Sequence, residues 1–153
     1  MEITAFALAQ RYVGIRELSA QGKDHPLISW WMSLCGLALD TPDEIPWCSG
    51  YPNGIAWELR LPRSKSAAAR SWLGVGTPVS LAEAAVGWDV VILTRGAGAQ
   101  PGPDVLHAPG HVGFFAGWRD GDGWVLVLGG NQSNGVTIQA FDPARILGMR
   151  RLL

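Results

Sequence analysis

Apolar residues recur with a helical period in the first part of the chain and with a strand period in the last. Ala5, Leu8, Ala9, Tyr12 and Val13 fall on one helical face that should end near Gly14. A second helix should open at His25-Pro26, since a first-turn proline lacks only an N–H that has no intrahelical acceptor. It should run to about Leu39 through Leu27, Trp31, Leu34, Cys35 and Ala38. A third should start at Cys48 or Ser49, which leaves Pro52 inside the first turn, where it is tolerated. "SAAARSWL" (66–73) reads as a short helix and "SLAE" (80–83) as a capping box.

From Trp88 onward the runs "DVVILTR", "HVGFFAGW", "WVLVLGG" and "GVTIQAF" read as β-strands separated by Gly, Pro and Asp. "DGDG" marks a hairpin between the second and third, and "ILGMRRL" closes the sheet. Helices first and antiparallel strands afterwards predict an α+β domain, with N-terminal helices packed on a C-terminal antiparallel β-sheet. The 153 residues suffice for one such domain, 1–153. Residues 96–110 form its one long loop, expected to be flexible and to flank a site.

Composition narrows the functions. Twelve Lys and Arg against 13 Asp and Glu give a net charge of −1, so no basic field points to nucleic acid or an anionic membrane. No apolar run approaches the roughly 20 residues of a membrane span, so no integral membrane segment is expected. The start "MEITAFALAQRYVG" lacks a signal-peptide pattern, which predicts synthesis in the cytoplasm. A monomer is expected. Two cysteines are too few for a disulfide scaffold. Most of the eight tryptophans should be core, with a few free to line a groove.

The two cysteines differ in setting. Cys35 lies on the apolar stripe of the second helix and reads as a core residue. Cys48, in "IPWCSGY", follows the acidic turn "DTPDE" and precedes a helix start, where unpaired N–H groups and the helix dipole favour a thiolate. A nucleophilic thiol needs a base on a rigid element. Of the three histidines, His25 has the position of a helix cap and His107 lies in the long loop. His111 opens a strand directly after Gly110, whose missing side chain allows close approach, and is the preferred base; His107 is the alternative.

The imidazole needs a partner on its other nitrogen. "LGGNQSN" offers Asn131, Gln132 and Asn134, and the hairpin brings Asn131 back beside the start of His111's strand. Gln132, one position along, should face the opposite side. The competing reading of these residues is a simple turn. Beside the triad Cys48, His111 and Asn131, the residues expected to contact substrate are Trp47, Tyr51, Gly110 and Gln132.

"PWCSGY", "SAAARSWL", "GHVGFFAG" and "VLGGNQSN", in this order, resemble a family of phage and prophage cell-wall hydrolases. That family lies within the cysteine, histidine-dependent amidohydrolase/peptidase superfamily (CHAP and NlpC-type domains). The resemblance extends from "VGIREL" to "ILGMRR". It implies a papain-like fold, Cys48 as nucleophile, His111 as base and Asn131 as the polar third member. Gly129 stands where many CHAP domains carry a glutamate. The implied activity is cleavage of an amide bond in bacterial peptidoglycan, within the stem peptide or between muramic acid and L-alanine, by a compact endolysin-like enzyme without cofactor.

Rival readings are a secreted antibacterial amidase toxin with the same chemistry, and a catalytically idle wall-binding module in which Cys48 is structural. A metal site from Cys48, His107 and His111 is poorly spaced for zinc. Asp40, Asp43 and Glu44 lack the alternating oxygens of a calcium loop and should form a solvated turn.

Overall fold

The strand-patterned half of the chain pairs into one antiparallel sheet. In the computed structural model, which describes residues 1–153, the strands are β1 (Thr77–Val79), β2 (Asp89–Thr94), β3 (Gly110–Trp118), β4 (Val125–Gln132), β5 (Gly135–Phe141) and β6 (Ile146–Arg151). Their order across the sheet is β1-β6-β2-β3-β4-β5. The expected α+β architecture holds, with β3 central and β6 inserted beside β2. β1 is absent from the sequence reading. Its three residues "TPV" are too short to show a period and pair only with β6 at the sheet edge.

Three α-helices precede the sheet: α1 (Ala5–Ala9), α2 (Pro26–Ser33) and α3 (Gly50–Glu58). α1 is capped by Thr4 Oγ1, which accepts from the Ala7 N–H, and continues as a 3₁₀ turn that stops at Tyr12. Val13 is therefore off the apolar face and half exposed. His25 Nδ1 accepts the Leu27 N–H at 3.2 Å, so this histidine is a helix cap. α2 stops short of the expected Leu39. Gly36 takes φ +86°, the left-handed conformation that ends helices, and leaves Leu37 and Leu39 outside the core. "SAAARSWL" becomes a 3₁₀ segment starting later, Ala69–Gly74.

Period-2 alternation gives the sheet two apolar faces. Val90, Ile92, Val112, Phe114 and Leu128 point toward the helices, where they meet Trp31, Trp47, Tyr51, Ile55 and Trp72. Val91, Leu93, Phe115, Val125, Val127 and Met149 form a smaller buried cluster on the opposite face. Aromatic contacts carry much of the first core: Trp31 stacks on Trp47 at 5.9 Å and meets Tyr51 at 5.1 Å, and Tyr51 meets Phe114 edge-on at 5.9 Å. This packing is what fixes the segment that carries Cys48. No helix is long and apolar enough to cross a membrane.

The close approach of α2 to α3 depends on Gly54. A Cβ there would overlap the indole of Trp31, itself fully buried. Alanine favours a helix interior by about 1 kcal/mol over glycine, but overpacking a filled core costs typically ~1–3 kcal/mol. The clash should win, and Gly54→Ala should lower the thermal midpoint. A midpoint equal to or above that of the parent would mean that α2 and α3 are not in rigid contact here.

Candidate active site

Cys48 lies immediately ahead of α3, whose N-cap is Ser49. The helical hydrogen bonding begins with Tyr51 N–H to Trp47 C=O, so the thiol stands at the helix start, as the sequence suggests. Ser49 is fully buried: its hydroxyl donates to Ser66 C=O at 2.6 Å and accepts from Trp72 Nε1 at 2.9 Å. Asn53, also buried, donates to Ser49 C=O and accepts from the Lys65 N–H, which docks residues 64–66 against the first turn of α3.

Burial raises the Cys48 thiol above its ordinary pKa. The Arg95 cation and the N–H groups of Val112, Ser49 and Cys48 itself work in the opposite direction. Pairing of β3 with β4 begins only at Phe114↔Leu128, and the Val112 N–H, before that point, faces the sulfur. Cys35, in the turn just past α2, is buried too, its thiol pushed up to about 12 by desolvation, and donates to Trp31 C=O of that helix. It has the core role expected of it.

His111, the neighbour of Val112, is buried on the other side of β3. It pairs with Leu93, whose side chain belongs to the smaller apolar cluster, and its ring packs against Phe141 at 5.3 Å. Its Nε2 is 2.8 Å from Gln132 Oε1. The Gln132 amide nitrogen donates to Val127 C=O at 3.1 Å and Thr137 C=O at 2.8 Å, so its oxygen must be the atom turned to the ring. An oxygen acceptor requires Nε2 to carry the proton, which leaves the Nδ1 lone pair free. Desolvation lowers the imidazole from 6.5 to about 4, against the raising effect of the Gln132 bond and with further lowering from the Arg95 and Arg145 cations. At neutral pH the pair is therefore a neutral imidazole and a neutral thiol, and no hydrogen bond joins them in this conformation.

The expected third residue, Asn131, is displaced by Gln132. Between the pairs Gly129↔Thr137 and Gln132↔Gly135, β4 advances three residues while β5 advances two. This extra residue is a β-bulge, with Asn131 at φ +57°, and it shifts the side-chain alternation by one. Gln132 thus takes the face of Gly129. A Cβ at Gly129 would run into Gln132 Oε1 and lie 3.3 Å from His111 Nε2, so the glycine is what admits the amide.

Two other expectations are corrected. Trp47 and Tyr51 do not face substrate. Both are fully buried, Trp47 Nε1 donating to Glu17 at 2.8 Å and Tyr51 Oη to Ala9 C=O at 2.7 Å. Gly130 lies against both, and any side chain there would collide with them. Gly110 keeps its close-approach role: a Cβ there would press on Arg70, Leu93 C=O and Ala69. It lines a cleft of about 320 Å³ with Cys48, Ala67, Arg95 and His107. His111, Gln132, Asn131 and Arg95 line an adjoining cleft of about 160 Å³, so Arg95 belongs to both. The largest cavity, about 830 Å³, lies at the far end of α3 against Arg60, Arg63 and Lys65, remote from this chemistry.

Sequence reasoning overlooked Arg95 and Arg70. Arg70 is fully buried without a carboxylate partner. Its guanidinium donates to the carbonyls of Pro101, Gly102, Val105 and Pro109. The loop expected to be flexible is thereby tied to the 3₁₀ segment that forms one wall of the Cys48 cleft. Asp43, expected in a solvated turn, is buried and accepts from the N–H groups of Leu18 and His25, both at 2.7 Å. No group of three or more His, Cys, Asp or Glu side chains converges as metal ligands would.

Burial of a neutral His111 has a consequence for stability. Between pH 6.5 and about 4 the unfolded chain binds a proton at this residue that the folded chain does not, so stability rises with pH across that window and is lost as pH falls through it. The contribution is on the order of 3 kcal/mol. Urea unfolding of wild type and His111→Gln at pH 7 and pH 4.5 should show the wild type losing more stability on acidification. Equal losses in the two proteins would contradict the buried neutral imidazole.

No protein-family model matches this sequence and no curated protein matches it.

Proposed function

We propose that the protein is a cysteine-dependent amide hydrolase of papain-like architecture, acting on bacterial peptidoglycan in an endolysin-like role. The observation that carries this reading is the His111–Gln132 bond. An amide whose nitrogen is spoken for by two main-chain carbonyls holds an imidazole in one tautomer, with its basic nitrogen free. A merely structural histidine does not require its second nitrogen to be left without a partner.

The proposed reaction requires the thiol and the imidazole, which open into separate clefts here, to come within hydrogen-bond reach. Nδ1 of His111 then takes the thiol proton as Sγ of Cys48 attacks the carbonyl carbon of the amide. The N–H groups turned toward the sulfur, with Arg95 nearby, stabilise the negative charge as it forms. The tetrahedral adduct collapses, the C–N bond breaks, and the imidazolium returns its proton to the departing amine. Water, deprotonated by the same imidazole, then hydrolyses the thioester and frees the thiol. Gln132 keeps Nε2–H oriented throughout and takes no proton.

The sequence resemblance to cell-wall hydrolases supplies the substrate class, and the two adjoining clefts at the end of β3 offer room on both sides of a scissile bond. Action on the cell wall follows from the same resemblance. One observation favours a second reading, a wall-binding module without turnover: Cys48 is only 3 % exposed and makes no hydrogen bond to His111.

Turnover on purified sacculi separates the two. With EDTA present, the wild type should release soluble muropeptides whose new termini, read by mass spectrometry, identify the bond. Cys48→Ala and His111→Ala should fall by about 10³-fold or more, and Gln132→Ala by roughly 10²-fold. Asn131→Ala should stay near wild type. Sedimentation with sacculi but no release by the wild type would favour the binding module, and loss on Asn131→Ala with none on Gln132→Ala would contradict the assignment of the orienting residue.

A further inference from the structure

The cleft beside His111 holds more positive charge than the hydrolytic step needs. Of its eight lining residues Phe141 alone is apolar, and two are arginines, Arg95 and Arg145. The chain's two ion pairs are Arg119 with Asp122 and Arg151 with Asp89, so neither cleft arginine has a carboxylate within 4.0 Å. The nearest acidic residue along the chain, Asp142, spends its Oδ1 on the Ala144 N–H at 2.9 Å.

The two arginines are held differently. Arg145 is immobilised: Nε and Nη2 donate to Thr94 C=O at 3.3 and 2.8 Å, its guanidinium lies 5.1 Å over the Phe141 ring, and Nη1 has no acceptor. Arg95, one residue past β2, is exposed, and its guanidinium forms no ion pair within the chain. Both cations act on the buried imidazole and lower its basicity. Arg95 is exposed to solvent and Arg145 half-buried, so neither is shielded from an entering anion. Two guanidinium groups beside one base without a carboxylate form a positive cleft open to such an anion.

The geometry of a guanidinium pair, with Asn131 and Gln139 amides in the same wall, suits a carboxylate, which accepts two N–H donors side by side. The volume, about 160 Å³, accommodates a carboxylate on a short carbon stem and not a sugar ring with its substituents. Its location selects the side of the scissile bond. In the proposed reaction His111 hands its proton to the leaving amine, and this cleft adjoins the imidazole while the sulfur opens into the other one.

We infer that Arg95 and Arg145 form a subsite for a carboxylate on the amine-side residue of the substrate, so that the enzyme selects amide bonds whose leaving fragment carries a free carboxylate close to the departing nitrogen. The inference rests on the hydrolase reading for its orientation. The anion site itself can be tested without turnover. It also gives Arg95 a double role, since it borders the cleft of the sulfur as well.

Two measurements distinguish a failure of this inference from a failure of the hydrolase reading. In the first, succinate and, separately, the uncharged succinamide are titrated into the ¹⁵N-labelled full chain while the backbone amides of Asn131, Ser133 and Gln139 are followed by NMR. Saturable shifts with succinate alone, lost in Arg95→Gln, are expected. Equal responses to both compounds, or none to either, overturn the subsite. Arg145→Lys, which keeps the charge, guards against a folding defect and should bind succinate more weakly than wild type but more strongly than Arg95→Gln.

In the second, soluble muropeptides are compared before and after amidation of their carboxylates. Wild type should lose about tenfold or more in kcat/KM on amidation, and Arg95→Gln should no longer discriminate between the two preparations. Hydrolysis of both preparations at equal rates by the wild type overturns the subsite and leaves the hydrolase standing. Succinate binding without hydrolysis of either preparation sinks the hydrolase reading and with it the assignment of the anion to the amine side.

Discussion

An imidazole with almost no contact to water stands at the end of β3, and the bond from its Nε2 to Gln132 Oε1 is the constraint around which this end of the sheet is arranged. Burying the ring favours its neutral form. A neutral ring has one donor and one acceptor, so the orientation of a single neighbouring amide decides which nitrogen remains basic. That amide is oriented in turn by Val127 C=O and Thr137 C=O, which come from β4 and β5. The β4 bulge, the absence of a side chain at Gly129 and the pairing of β4 with β5 are all parts of one device.

The charges around the site follow a different rule from those on the surface. Arg119 and Asp122 pair in solvent, where such a bridge is worth little. Arg70 is enclosed with only main-chain carbonyls for company, and Arg95 and Arg145 face the clefts without acids to answer them. The buried guanidinium loses hydration and leaves Nη2 without a partner, while Nε and Nη1 hold the loop in place through four hydrogen bonds to main-chain carbonyls. Desolvation first, and the cleft cations after it, keep the base weak at rest, and the same cations favour anions, which links the ionisation of the site to what enters it.

Much of this was legible in the sequence because it follows from local periodicity. The five C-terminal runs became strands, and Cys48 stands where the proline and the small residues put a helix start. What could not be read depended on contacts between distant segments. Trp47 and Tyr51 look like groove-lining aromatics beside a reactive cysteine, and only the α2–α3 packing turns them into core. Asn131 was favoured over Gln132 by a strict two-residue alternation that a bulge breaks. "GGNQSN" held the warning, since paired glycines followed by residues tolerant of positive φ are what a bulge uses. Arg70 gave a fainter signal, a charge among alanines at the start of a segment whose neighbours are buried.

The central claim, that Gln132 holds His111 as a neutral ring with Nδ1 free, is open to direct observation by long-range ¹H–¹⁵N correlation of the imidazole at pH 7. The account predicts a protonated, pyrrole-type Nε2 and an unprotonated, pyridine-type Nδ1 in the wild type, and an averaged pattern from mixed tautomers in Gln132→Ala. A protonated Nδ1 in the wild type, as the Nδ1–H tautomer or as imidazolium, would contradict it.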